Sequence, residues 1–255
     1  MSNLQNGYTM DKLEAPFFEI GPKNLLRLPE IIELAQAAQV AAKRNRVAVI
    51  LTVPAPLIAQ VRAAVPGVHV FAQTMDAEEP GTSVGRTIAE SLKDAGASGV
   101  MLNHDSCPLD TESLERAIAR AHANGLMTMV CAGNREQVLS LARLRPTVIL
   151  FEPPELIGHS GGEARPWIQD IDARMSELAP EVLMMHAGGV GAPDDARQIM
   201  TDGASGTGAT SGVLRAASPV AAVAEFVRAT RAGFDDYQAA MVVSGSVPMA
   251  ATSER

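Results

Sequence analysis

Short apolar runs alternate with longer amphipathic stretches along almost the whole chain. The runs at 17–20, 47–53, 69–73, 99–102, 127–131, 147–151, 182–186 and 206–209 are too short for helices and most are rich in Val, Ile, Phe or Met, which predicts buried strands. Between them, 30–43, 56–64, 85–94, 111–123, 135–143, 166–178, 193–201 and 219–231 gather their apolar residues on one helical face. Start signals support several of these helices: Asp110 precedes Thr111, and the pairs Ala192-Pro193 and Ser218-Pro219 put proline near a first helical position. Gly96, Gly125 and Gly203 follow helices, where a left-handed residue is expected. Strand followed by helix, repeated without reversal, implies a parallel sheet, and eight is the number at which such a sheet commonly closes. The reading is an α/β chain with one (β/α)8 barrel over 1–232. An open, doubly wound sheet is the alternative, weakened by the lack of a glycine-rich dinucleotide fingerprint after the first strand. Residues 155–162 read as a loop over a strand end. Residues 233–255 lack a clear period and read either as a tail or as an oligomer arm.

Composition narrows the class. With 255 residues, 47% hydrophobic, the chain can bury one substantial core. The net charge of −8 argues against a nucleic-acid footprint but not against a small anion, which backbone N–H groups can hold. Cys107 and Cys131 are too few for a disulfide framework, and no His or Cys spacing suits a metal, so neither metal nor cofactor is expected. Neither a secretory leader pattern nor a long apolar run is present, which gives the expectation of a reduced, cytoplasmic protein without a membrane partner.

In a barrel of this kind, chemistry sits at the carboxyl ends of the strands. Lys23, His104 and Glu152 follow the first, fourth and sixth predicted strands, so closure would aim an ammonium, an imidazole and a carboxylate at one space. Each alone is as well explained as a solvated or capping residue. Two glycine-rich turns come late: 187–191, with Gly188 and Gly189, and Ser211-Gly212. Turns after strands seven and eight often bind phosphate, because glycine lets N–H groups approach an anion closely. Tight strand-to-helix turns explain the same glycines equally well.

Several of these segments resemble the triosephosphate isomerase family, in its short archaeal-type branch. The run Glu152-Pro153-Pro154-Glu155-Leu156-Ile157-Gly158 is similar to that family's mobile loop, and Asn103-His104 to its histidine turn. Residues 125–131 are similar to its fifth strand, Ala72-Gln73 with Glu79-Pro80-Gly81 to its third loop, and Ser211-Gly212-Val213 to its last phosphate loop. The resemblance spans about Pro16 to Ala232. It implies a TIM barrel, a small phosphorylated sugar as substrate, a homo-oligomer, and interconversion of ketose and aldose phosphates through an enediolate. Glu152 would then move the proton, His104 would polarise the carbonyl, Lys23 would offset charge, and Gly158 would bring a loop N–H to the phosphate.

The chain departs from the family near the sugar end. An asparagine expected two residues before the lysine is Gly21. The residues after His104 are Asp105-Ser106-Cys107 instead of Ser-Glu-Arg, which removes the usual glutamate partner of the lysine. Asp105 would either pair with Lys23, favouring imidazolium at His104, or cap the next helix. If Lys23 faces inward, period-two alternation puts Glu19 on the same inner face, where it needs a partner. His186, at a strand end, reads as a buried hydrogen-bonded histidine or as a substrate contact. Three functions stay open: a triosephosphate isomerase, an isomerase or epimerase of a tetrose or pentose phosphate, and a barrel that binds a phosphometabolite without catalysis.

Overall fold

Eight parallel strands pair in chain order and close on themselves: β1 (Phe17–Ile20), β2 (Ala48–Val53), β3 (His69–Ala72), β4 (Gly99–Leu102), β5 (Met127–Ala132), β6 (Val148–Phe151), β7 (Leu183–His186) and β8 (Gly206–Gly208). Closure is made by β8 lying beside β1, with Gly206 opposite Phe17. All eight predicted strands are present, and the open-sheet alternative is excluded. The computed structural model describes residues 12–156 and 165–244.

Alternation along each strand sorts residues into two apolar layers. Phe17, Ile50, Phe71, Met129, Val148, Leu150 and Met185 fill the barrel, with Leu13 buried among them. Phe18, Ile20, Leu51, Val70, Val130 and Ile149 face the helices. The interior is packed around two phenylalanines. A Cβ at Gly206 would lie 2.4 Å from the Phe17 ring, and one at Gly99 would lie 2.5 Å from Phe71. Glycine at those positions is therefore volume complementarity inside a closed cylinder.

The outer layer comprises α1 (Leu28–Asn45), α2 (Ile58–Ala64), α3 (Ala89–Asp94), α4 (Thr111–Ala123), α5 (Arg135–Ala142), α6 (Trp167–Leu178), α7 (Pro193–Thr201), α8 (Ser211–Leu214) and α9 (Pro219–Val243). Two differ from expectation. The helix expected over 85–94 begins only at Ala89, because Gly85 has φ 73° and Asp76 receives the Thr87 N–H at 2.7 Å, which holds that stretch as a loop. The helix expected to end at Arg231 continues to Val243. Gly233 lies inside it, where a Cβ would stand 2.2 Å from the Arg197 carbonyl oxygen on α7. Among the described residues no helix is long and apolar enough to cross a membrane.

Candidate active site

The chain leaves β1 through Gly21 and Pro22 and reaches Lys23 at φ 51°, a left-handed conformation that costs a non-glycine residue about 1 kcal/mol or more. The Gln73 amide at the end of β3 holds it there, donating to the Lys23 carbonyl at 2.7 Å. Thr210, after β8, donates to the Gly21 carbonyl at 2.8 Å. The lysine is thus fixed by its backbone while its side chain stays exposed.

His104 follows Asn103, also left-handed at φ 58°. Asn103 ties the turn to its surroundings, donating to the Cys131 carbonyl at 3.1 Å and accepting the Leu109 N–H at 3.1 Å. The Ser106 backbone N–H donates to His104 Nδ1 at 3.1 Å, and the Ser106 hydroxyl lies 2.8 Å from the same nitrogen. A backbone N–H only donates, so Nδ1 is the acceptor and the ring proton sits on Nε2. Burial and the nearby Lys23 charge hold the imidazole pKa below its usual value, while Asp105 pulls the other way and loses. The imidazolium that an Asp105–Lys23 pairing would favour is therefore not favoured here. Asp105 is exposed and does not line the cavity described below, and the cap of α4 is Asp110, which accepts the Ser113 N–H.

Glu152 leaves β6 with its N–H bonded to the Ala132 carbonyl at 3.0 Å. Burial raises its carboxyl pKa, with Lys23 opposing and Asp105 adding. A Cβ on Gly188 would lie 3.2 Å from Glu152 Cγ, so glycine is what lets that turn sit against the carboxylate. Gly188 and Gly189 are consecutive left-handed residues at φ 83° and 66°. The Asp195 carboxylate collects the N–H groups of Gly191 and Ala192, each at 2.9 Å, and buried Arg165 donates to the Gly188 carbonyl. The turn is therefore braced from both sides.

These parts surround one cavity of about 540 Å³ at the carboxyl end of the barrel. Lys23, His104, Glu152, Gly21, Gly188, Gly189 and Ser211 all line it. Gly212 does not: a Cβ there would meet the Val190 carbonyl at 2.6 Å, so this glycine seats α8 on the neighbouring turn. His186 also stays outside. Inward Met185 precedes it, so alternation turns His186 toward the helices, where Nε2 pairs with Asp172 at 2.7 Å. Gly158 falls outside the described residues.

Glu19, Thr52 and Arg215 are among the lining residues not read as site residues from sequence. Glu19 sits on the floor, 8% exposed, with Thr52 donating to Oε1 at 2.7 Å. Alternation placed Glu19 inward but could not supply Thr52, which comes from β2. Arg215, exposed at the end of α8, adds a cation beside the late turns, and nothing in its local pattern distinguished it. Among the described residues no cluster of His, Cys, Asp or Glu is arranged to hold a metal ion.

Comparison with known proteins identifies the family and the fold. A model of the triosephosphate isomerase family matches residues 23–229. The archaeal triosephosphate isomerases of Metallosphaera sedula and Sulfurisphaera tokodaii are 32% and 31% identical to the chain over 200 and 198 residues, covering 77% of this chain and 86% of each relative. Among solved structures, triosephosphate isomerase from Bartonella henselae aligns with a TM-score of 0.67 at 17% identity, over 85% of this chain and 99% of that one, a likeness of fold. From its residues, its closed barrel and these matches, the chain belongs to the triosephosphate isomerase family, a family of isomerases.

Proposed function

We propose that the chain interconverts an aldose and a ketose form of a short sugar phosphate by moving one proton between adjacent carbons. The observation that carries this reading is that a desolvated carboxylate, a neutral imidazole with its proton on Nε2, and an ammonium line one cavity beside a braced glycine turn. A carbon acid next to a carbonyl needs a base whose affinity for the proton rises as water leaves, and burial of Glu152 acts in that direction. In the forward step Glu152 takes the proton, and the electron pair of the broken C–H bond moves to the carbonyl oxygen, giving an enediolate. His104 Nε2–H and Lys23 stabilise that oxygen as fixed donors. The neighbouring hydroxyl proton passes to that oxygen by way of His104, and Glu152 returns its proton to the former carbonyl carbon, so the step needs no oxidant. The N–H groups of Gly188 and Gly189, Ser211 and the Arg215 cation receive the phosphate.

The test is Glu152→Gln, which keeps size and removes basicity. Turnover of sugar phosphates is expected to fall by at least about 10³-fold while a phosphoglycolate-type inhibitor still binds. Unchanged turnover would refute the base assignment. Absence of turnover in the parent protein, with the inhibitor bound, would favour the non-catalytic phosphometabolite barrel.

A further inference from the structure

Glu19 is the group that the proposed proton transfer leaves unused. The residue is 8% exposed, lines the cavity floor, and receives one hydrogen bond, from Thr52 to Oε1. Among the described residues no hydrogen bond reaches Oε2, and Oε2 is not one of the buried polar atoms left without a partner, so it faces the cavity and is open to a ligand there. Gly21 belongs to the same arrangement: a Cβ there would stand 2.9 Å from Glu19 Oε1, so the carboxyl occupies space that a side chain at 21 would need. Burial and the Glu152 charge hold Glu19 near a pKa of about 7, so it can accept or donate a hydrogen bond at neutral pH; Lys23 opposes that shift, and Cys131 is the other titratable group coupled to it.

In the proposed reading the phosphate sits at one end of the substrate and the reacting carbon pair follows it. Gly188, Gly189 and Ser211 set the phosphate, while Glu152 and His104 set the carbon pair. Extra substrate length can therefore be added only beyond that pair, at the end away from the phosphate. We propose that Glu19 is a specificity-determining residue that receives a terminal hydroxyl of the substrate, so that the preferred substrate is a four-carbon ketose phosphate rather than a triose phosphate. This rests on the isomerase reading and changes one part of it: with a hydroxyl carbon beyond the reacting pair, the same one-proton transfer interconverts two ketose phosphates rather than an aldose and a ketose. With erythrulose 1-phosphate, Glu152 removes the C3 proton, the released pair forms the C2–C3 double bond and the C2 carbonyl oxygen becomes the oxyanion; the O3 hydroxyl proton then passes to O2 by way of His104, and Glu152 returns its proton to C2, leaving the carbonyl at C3. The product is erythrulose 4-phosphate, with no net oxidation. The C4 hydroxyl meets Glu19. A triose phosphate lacks that hydroxyl and leaves the carboxyl unmatched, the situation in which polar sites discriminate most strongly.

The experiment measures kcat/KM of the full chain on erythrulose 1-phosphate and on dihydroxyacetone phosphate, for the parent, Glu19→Ala and Gly21→Ala. The parent is expected to favour the tetrulose phosphate by about tenfold or more. Glu19→Ala is expected to lower tetrulose turnover by about 10²-fold and triose turnover by less than tenfold, the retained triose activity reporting an intact fold. Gly21→Ala, which displaces the carboxyl without removing it, is expected to reduce the same preference and covers the case in which Glu19→Ala fails to fold. Preference for the triose in the parent, or equal loss on both substrates, overturns the role of Glu19 and leaves the isomerase reading standing. No turnover of either substrate removes both.

Discussion

Glu19 and His69 both lie buried in the barrel wall and carry opposite pH signatures. The folded pKa of Glu19, about 7, lies above its ordinary 4.5. Between those values the folded chain keeps a proton that the unfolded chain has released, so stability falls as pH rises through this window. His69, lowered by burial from 6.5 to about 4, behaves in reverse: the unfolded chain holds the proton first, so stability falls as pH drops from about 6.5 toward 4. The two trends partly cancel in the parent. Urea unfolding of Glu19→Gln across pH 4 to 8 is expected to show a gain over the parent that grows with pH to roughly 3 kcal/mol above pH 7. In His69→Gln the gain should instead appear below pH 6 and reach about 2 kcal/mol near pH 5. Gains independent of pH would contradict both assignments. A stabilising substitution at Glu19 also fits a residue retained for its contact with substrate.

At the scale of elements, the interior is decided by pairs on different strands. Gly206→Ala forces a methyl into the Phe17 ring and is expected to cost about 1–3 kcal/mol, read as a lower urea midpoint. Phe17→Leu in the same chain should recover part of that loss, so the double variant lies above the sum of the singles. Most strands were legible in the sequence because each is a compact apolar run near glycine or proline punctuation; β8, Gly206-Thr207-Gly208, follows instead from its place in the repeat. Their facing was not. With both faces buried, a run such as Leu183-Met184-Met185-His186 has no polar alternation to show which side is inward, and His186 was weighed for the cavity although it faces Asp172. The start of α3 was misplaced for another reason: Gly85 and Asp76 settle it through a contact across the loop.

For the whole molecule, closure joins what the chain separates. Lys23, His104 and Glu152 could be nominated from sequence because a barrel sends all strand ends to one rim, whereas the Thr52–Glu19 bond, the Arg165 brace and the Arg215 cation depend on three-dimensional neighbours. The last helix belongs to the same closure. Beyond Ala232, α9 still packs Phe234 on the outer layer, pairs Asp236 with Arg197 at 2.8 Å and sets the Tyr237 ring beside Gly203. A chain ended at Ala232 is therefore expected to melt at least about 5 °C lower, a calorimetric difference corresponding to roughly 2 kcal/mol for a molecule this size. An unchanged melting temperature would make 233–244 dispensable to the barrel.

The contact between positions 19 and 21 ties two residues that stand two apart in the chain. A side chain added at 21 would meet the end of the Glu19 side chain, which can give way only by carrying its carboxyl off the Thr52 hydroxyl, so the size of residue 21 sets where the acid on the cavity floor can rest.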